Sequence, residues 1–216
     1  LNHPHIVTIY DAGEEHDLAY IAMEFLTGRD LTPFTKPGTL LPLPKVMSIM
    51  ARVADALDYA HKQNVVHRDI KPANIMYDPQ TDSVKVTDFG IARITDSSRT
   101  KTGMVLGTPS FMSPEQLAGR KIDGQSDLFS LGVTMFQLAS GALPFTGETM
   151  TQLMYKIANE PPADLLSLNP TLPDCFVAIV NRCLAKAKED RFANGEELAA
   201  AIRACAVSFS ELDVTL

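Results

Sequence analysis

The sequence predicts an α+β fold in which strands come first and helices follow. Three observations carry this. Two β-branched and aromatic runs fall within residues 1–25, an apolar period of three and four sets in at Pro44, and a second pair of short apolar runs lies between residues 75 and 87. Length and composition agree with a globular chain: 216 residues can close a real core, and 45% hydrophobic against 21% charged residues argues against a disordered or fibrous chain. The 26 acidic and 19 basic side chains give a net charge of -7, the wrong sign for a nucleic-acid surface, so no nucleic-acid partner is expected. Cys175, Cys183 and Cys205 are odd in number, lack CxxC spacing and sit among apolar residues. That pattern predicts reduced, buried thiols in a cytoplasmic protein, and neither a disulfide nor a zinc framework. The most apolar run, residues 127–141, is shorter than the ~20 residues of a membrane span, so no membrane segment is expected in this chain.

The first strands are placed at His5–Asp11 and Leu18–Phe25, joined by a charged turn over Ala12–Asp17. From Pro44, which suits a first helical turn, Val46, Met50, Val53, Leu57 and Ala60 mark the buried face of one amphipathic helix ending near Asn64. Ile75–Asp78 and Val84–Thr87 form a second hairpin around the turn-rich Pro79–Ser83. Residues 94–110 are rich in Ser, Thr, Arg and Lys without periodicity, which reads as a long functional loop. Helices follow at Asp127–Ser140, Thr149–Asn159, Cys175–Ala185 and Glu196–Ala206, with proline-rich connectors between them.

The chemistry-bearing residues are concentrated in the middle of the chain. His67-Arg68-Asp69-Ile70-Lys71-Pro72-Ala73-Asn74 is followed by Asp88-Phe89-Gly90, then Gly107-Thr108-Pro109 and Ser113-Pro114-Glu115. On these motifs the chain resembles the protein kinase family, most closely its bacterial serine/threonine members, from Leu1 to about Ala206. The resemblance implies a kinase-like α+β fold: residues 1–26 a remnant of the small lobe with two strands and the hinge, residues 27–207 a mostly helical large lobe, and residues 208–216 a tail. The activity it implies is transfer of the γ-phosphoryl group of MgATP to Ser or Thr hydroxyls of protein substrates, with Mn²⁺ as the alternative ion. A homodimer for autophosphorylation and a cytoplasmic location, tethered to membrane only through segments outside this chain, belong to the same expectation.

Several of these residues can be read physically without the family. If Ile75 opposes Thr87 and Tyr77 opposes Lys85, then Asn74 and Asp88 flank the open end of the hairpin with side chains roughly 5 Å apart. One amide oxygen and one carboxylate suit Mg²⁺, which takes few protein ligands. Singly, each is better read as a turn asparagine or a solvated aspartate; their joint spacing makes them the metal pair. Asp69 lies five residues before Asn74, with Pro72 stiffening the loop between, so it can face a substrate hydroxyl while Asn74 faces the nucleotide. Because an aspartate is a weak base for an alcohol and phosphoryl transfer passes through a loose transition state, its main task is orienting that hydroxyl. Lys71 supplies positive charge for the transferring phosphoryl oxygens.

The family resemblance places the remaining residues. Met23-Glu24-Phe25-Leu26 looks like the hinge edging the adenine pocket, with backbone groups of Glu24 and Leu26 reading the base, Met76 as apolar floor and Met23 guarding the back. Asp30 falls where the family often sets a carboxylate on the ribose, and a role capping the next helix suits it equally. Glu115 and Arg191 resemble the buried pair that anchors the activation segment, and Asp127 would hold the catalytic-loop backbone. Arg68 beside Asp69 implies control by activation-loop phosphorylation: a buried or half-buried guanidinium needs an anion, with Thr100 and Thr102 as phosphate acceptors and Arg93 as a second arm. Thr108 is left out of that set, since its family role is hydrogen bonding within the catalytic loop.

Upstream of Asp69 the sequence holds neither a glycine-rich phosphate loop nor a strand lysine of the VAIK type. Both are expected to precede Leu1, so the chain is read as a kinase domain lacking most of its small lobe, binding ATP poorly by itself. Two competing readings stay open: a non-catalytic kinase-like binding module, and a small-molecule kinase of related fold.

Overall fold

Helix α1, Leu43–Lys62, sets the frame on which the site is built. Its residues Val46, Ile49, Met50, Val53, Ala54 and Leu57 recur every three or four positions and are fully buried, so the predicted stripe faces a core. The structure, a computed structural model, describes residues 1–89 and 108–213, with side chains through residue 210. Helix α2, Pro114–Leu117, starts at a capping box in which the Ser113 hydroxyl and the Gln116 side chain exchange bonds with each other's backbone N–H. The next helix, α3 (Gly124–Ser140), is capped by Asp123 and closed by Gly141 in the left-handed region, and it is buried on nearly every side. It packs on α1 and on α6, Asp174–Cys183, with α4 (Met150–Asn159) and α5 (Leu165–Leu168) filling one end. At Gly132 α3 meets the Cβ of Cys183, an approach that a side chain there would block. Helix α7, Gly195–Asp213, lies along α1 and runs seven residues past its predicted end, so most of the predicted tail is helix.

The strands differ from the predicted ones in instructive ways. Strands β1 (Ile9–Glu15) and β2 (Leu18–Met23) pair antiparallel around a two-residue turn at His16 and Asp17, both with positive φ. The predicted six-residue turn is too long. Residues 12–15 continue the strand because Gly13 opposes Tyr20 and leaves room for its ring. Residues 5–7, predicted as part of the first strand, leave it: Val86 N–H donates to the His5 carbonyl and Val7 N–H to the Val86 carbonyl, with Ile6 and Val7 buried.

Strands β3 (Arg29–Asp30), β4 (Ile75–Asp78) and β5 (Ser83–Val86) form a second antiparallel sheet in that order. Gly28, at φ 87, brings the chain onto the Tyr77 carbonyl with no space for a Cβ. In the β4–β5 hairpin Ile75 opposes Val86 and Tyr77 opposes Val84, one residue off the predicted register. The reason is the turn: Asp78 accepts the Gln80 N–H, Asp82 takes φ 53, and the loop closes in four residues so that Asp78 faces Ser83.

The cysteines overturn their prediction. A disulfide joins Cys175 on α6 to Cys205 on α7, with Cα atoms 5.7 Å apart. Apolar surroundings alone predict free thiols, but those same residues dock α6 against α7 and bring the two sulfurs together. Cys183 remains a free buried thiol, pushed up to about 12 by burial and therefore inert. Among the described residues no helix is long and apolar enough to cross a membrane.

Candidate active site

The loop from Val65 to Asn74 has little regular structure, and buried side chains hold it. Asp127, 1% exposed near the start of α3, accepts the Arg68 N–H at Oδ1 (2.9 Å) and the His67 N–H at Oδ2 (2.8 Å), and the same Oδ2 meets His61 Nε2 from the end of α1 at 2.7 Å. His67 is fully buried, accepts the Asp69 N–H at Nδ1 (3.1 Å) and contacts the Thr87 carbonyl through Nε2 (2.7 Å). With Nδ1 accepting, the ring proton sits on Nε2 and is donated to Thr87. The ring also stands edge-on to Phe89, centroids 4.6 Å apart, so one imidazole ties the loop to the segment carrying Asp88.

Between these anchors Arg68 takes φ 77 and Asp88 takes φ 68. Left-handed conformations at residues other than glycine cost about 1–3 kcal/mol each and persist where neighbours over-determine them. That is the case at Arg68, whose N–H is held by Asp127 and whose carbonyl accepts Gln116 Nε2 at 3.0 Å. Arg68 as a whole residue is exposed, where a buried or half-buried one is expected from the sequence.

Asp69, Lys71, Asn74 and Thr108 converge. Lys71 Nζ lies 3.4 Å from Asp69 Oδ2 and donates to Thr108 Oγ1 at 2.8 Å. Asn74 Nδ2 donates to the Asp69 carbonyl at 2.7 Å and lies 3.4 Å from Asp69 Oδ2. Asn74 is buried, and no hydrogen bond among the described residues uses its Oδ1. The Asn74 carbonyl accepts both the N–H and the hydroxyl of Thr87, so Asn74 opposes Thr87 and not, as predicted, Asp88. Asp88 follows Thr87 directly, with φ 68. A spare amide oxygen beside a carboxylate is a donor set that fits Mg²⁺.

The hinge residues lie across a small cleft. Glu24, Phe25, Leu26 and Thr27 face Met76 and Lys85 around about 160 Å³ of space. Glu24 spends its N–H on the Thr8 carbonyl, which leaves its own carbonyl as the group available to a base. Met23, predicted to guard a back pocket, is 42% exposed and outside this lining. Asp30 is also outside it; its Oδ1 accepts the Thr32 N–H at 2.8 Å, a turn that leads into the short 3-10 helix Thr32–Phe34, whose N-cap is Leu31. Thr100, Thr102 and Arg93 lie outside the described residues.

Glu115 and Arg191 form the predicted buried pair, joined at 2.6 and 3.0 Å, with Ser126 donating to the same carboxylate at 2.7 Å. Burial alone would push the Glu115 carboxyl up, but the guanidinium and the hydroxyl outweigh it and hold the group at about 2. The sequence reading missed His61, Gln116 and Lys85. Gln116 was legible as the third residue after Ser113 in a capping-box pattern; His61 and Lys85 carry no local signal.

The protein kinase domain family matches residues 1–202 of the chain. Serine/threonine-protein kinase PrkC of Bacillus subtilis is 38% identical over 205 residues, covering 94% of this chain and 31% of the relative. Serine/threonine-protein kinase PknB of Mycobacterium leprae is 38% identical over 206 residues, covering 93% and 33%. The chain thus spans about a third of the length of these curated relatives. Among solved structures, the Mycobacterium tuberculosis PknI kinase domain is similar with TM-score 0.75 and 31% identity, over 95% of this chain and 73% of that one. Rad53 residues 1–466 in complex with AMP-PNP gives TM-score 0.79 at 25% identity, over 94% and 52%.

Proposed function

Because the chain belongs to the protein kinase domain family, we propose that it is the phosphotransfer core of a serine/threonine protein kinase, acting on protein hydroxyls with MgATP. The observation that carries this is the meeting of Asp69, Lys71 and Asn74, on a loop whose strained backbone is fixed by buried groups, with Thr108 from the segment ahead of α2. A pure binding module has no physical need to hold a carboxylate, a lysine and a spare amide oxygen within a few ångströms of one another.

Asp69 would orient the substrate hydroxyl and take its proton late, its carboxylate kept in place by Lys71 and Asn74. Lys71, fixed by Thr108, would face the negative oxygens of the group being transferred. Asn74 Oδ1 and the Asp88 carboxylate would hold a divalent ion, which supplies charge neutralisation at the phosphates. Mg²⁺ is the ion that suits these oxygens, with Mn²⁺ as the alternative. The hinge carbonyl of Glu24, the Leu26 backbone and Met76 would hold the adenine. ATP as donor places the reaction in the cytoplasm, and two copies of the chain would meet for autophosphorylation.

The test is a pair of variants in the intact protein. Asp69→Asn and Asp88→Asn should each lower phosphotransfer by about 10²–10⁴-fold. Asp69→Asn should bind MgATP like the parent, whereas Asp88→Asn should lose the metal dependence of nucleotide binding. Parent-like turnover in both would end the assignment.

A further inference from the structure

The Glu24 carboxylate does not enter the proposed chemistry, yet it is the most heavily bonded group in the hinge. Its Oε1 accepts the Thr8 N–H at 2.9 Å and meets Lys85 Nζ at 3.2 Å, while the Glu24 N–H donates to the Thr8 carbonyl at 2.9 Å. Thr8 ends the segment whose residues 5–7 bond to Val86, the neighbour of Lys85. The chain therefore closes a ring: hinge to Thr8, residues 5–8 to β5, and β5 back to the hinge through Lys85. Both side chains of the ion pair are only about one-fifth exposed, at 22% and 20%. The Thr8 N–H, ahead of Lys85, holds the Glu24 carboxyl below the usual range.

Lys85 is the cross-strand partner of Met76, the residue read as the floor under adenine, and both line the hinge cleft with Glu24. Since the Glu24 N–H is taken by Thr8, the direction of the following carbonyl is set by how the Glu24 residue is clamped. Resting on the kinase reading, the geometry points to Lys85 as a positioning residue: it clamps Glu24 so that the hinge carbonyl meets the nucleotide base, and thereby sets affinity and selectivity for adenine. Lys85 touches neither phosphate ligands nor the substrate hydroxyl, so its effect belongs in nucleotide binding and not in the chemical step.

The experiment compares Lys85→Met, Glu24→Gln, the double variant and Lys85→Arg with the parent, all as the intact protein. Lys85→Met should raise KM for ATP about fivefold, the size of a partly buried ion pair, with kcat within about twofold and the KM ratio of GTP to ATP reduced. The double variant should be no worse than either single one, because both remove the same pair, and Lys85→Arg should restore most of the affinity. An unchanged ATP KM and base preference in Lys85→Met would overturn the proposal, as would additive losses in the double variant. Direct binding of ATP and GTP by calorimetry separates the two readings. A parent without phosphotransfer that binds ATP, and loses that preference in Lys85→Met, rejects the kinase activity and keeps the clamp. A parent that binds no nucleotide rejects both.

Discussion

In the helical body Ile49, Val53, Leu57 and Phe136 are wholly buried, while in the β1–β2 hairpin Tyr10 and Leu18 are 70% and 73% exposed. Both regions are rich in large apolar residues, but only the body turns them onto a common core. A two-stranded ribbon has no second layer to bury its faces and is marginal by itself. The body, by contrast, holds the loop around Asp69 through Asp127 from α3, itself met by His61 from α1, and through Gln116 from α2, and it carries the buried Glu115–Arg191 pair. The two regions meet mainly where Thr8, Glu24 and Lys85 join, so stability and loop geometry should track the body, whereas the hairpin should act on the site through the hinge.

The sharpest way to break this division is to unpair Glu115. In Arg191→Met a buried carboxylate is left without its guanidinium, which costs about 3–5 kcal/mol, and three carbonyls that Arg191 also bonds, at Ala185, Lys186 and Gln125, lose a donor. Urea denaturation at neutral pH should show the loss. Glu115 also predicts a pH signature. Its folded value of about 2 lies below the ordinary 4.5, so its stabilisation is present above pH 4.5 and is lost as pH falls toward 2. About 3 kcal/mol should disappear over that window in the parent, and Glu115→Gln should give a flatter curve. Equal slopes for both proteins would show that the pair does not govern the acid limb.

The disulfide comes next in size. It closes a loop of sequence separation 30, for which chain entropy gives about 3–4 kcal/mol. A Cys175→Ala/Cys205→Ala variant should be less stable than the parent by that amount under oxidising conditions and nearly equal to it with a thiol reductant present. A difference that persists in reductant would mean that packing of the two side chains, and not the bond, supplies the stability.

Much of this was legible in the sequence because it rests on short-range chemistry. The α1 stripe follows from residue spacing, and Asp69, Lys71, Asn74 and Asp88 stand at fixed offsets in one loop and hairpin. What failed depends on residues far apart or on turn geometry. The Cys175–Cys205 bond needs the docking of α6 on α7, which no local pattern encodes. The one-residue slip at β4–β5 came from a turn closed by Asp78 and Asp82, where several loop lengths fit the same composition. Lys85 looked like an ordinary alternating strand residue, and only the approach of Glu24, 61 positions earlier, gives it a partner.

The smallest expected effect sharpens the comparison from the hairpin side. Tyr10 sits at the register shift between Ile9 and Asp11, without a cross-strand partner, and Leu18 opposes Glu15 beside the turn; both stand on a ribbon with polar and apolar residues alike facing outward. Tyr10→Thr and Leu18→Thr keep strand propensity and remove apolar surface that the fold does not bury. In the 216-residue chain each should therefore change stability by no more than about 0.5 kcal/mol, a shift in Tm under about 2 °C. Ile49→Ala, which empties a fully buried position on α1, should cost about 2–5 kcal/mol in the same assay. A drop of more than about 5 °C in Leu18→Thr would mean that in solution this face is covered. The hairpin would then belong to a larger apolar layer, and the contrast with the body would be lost.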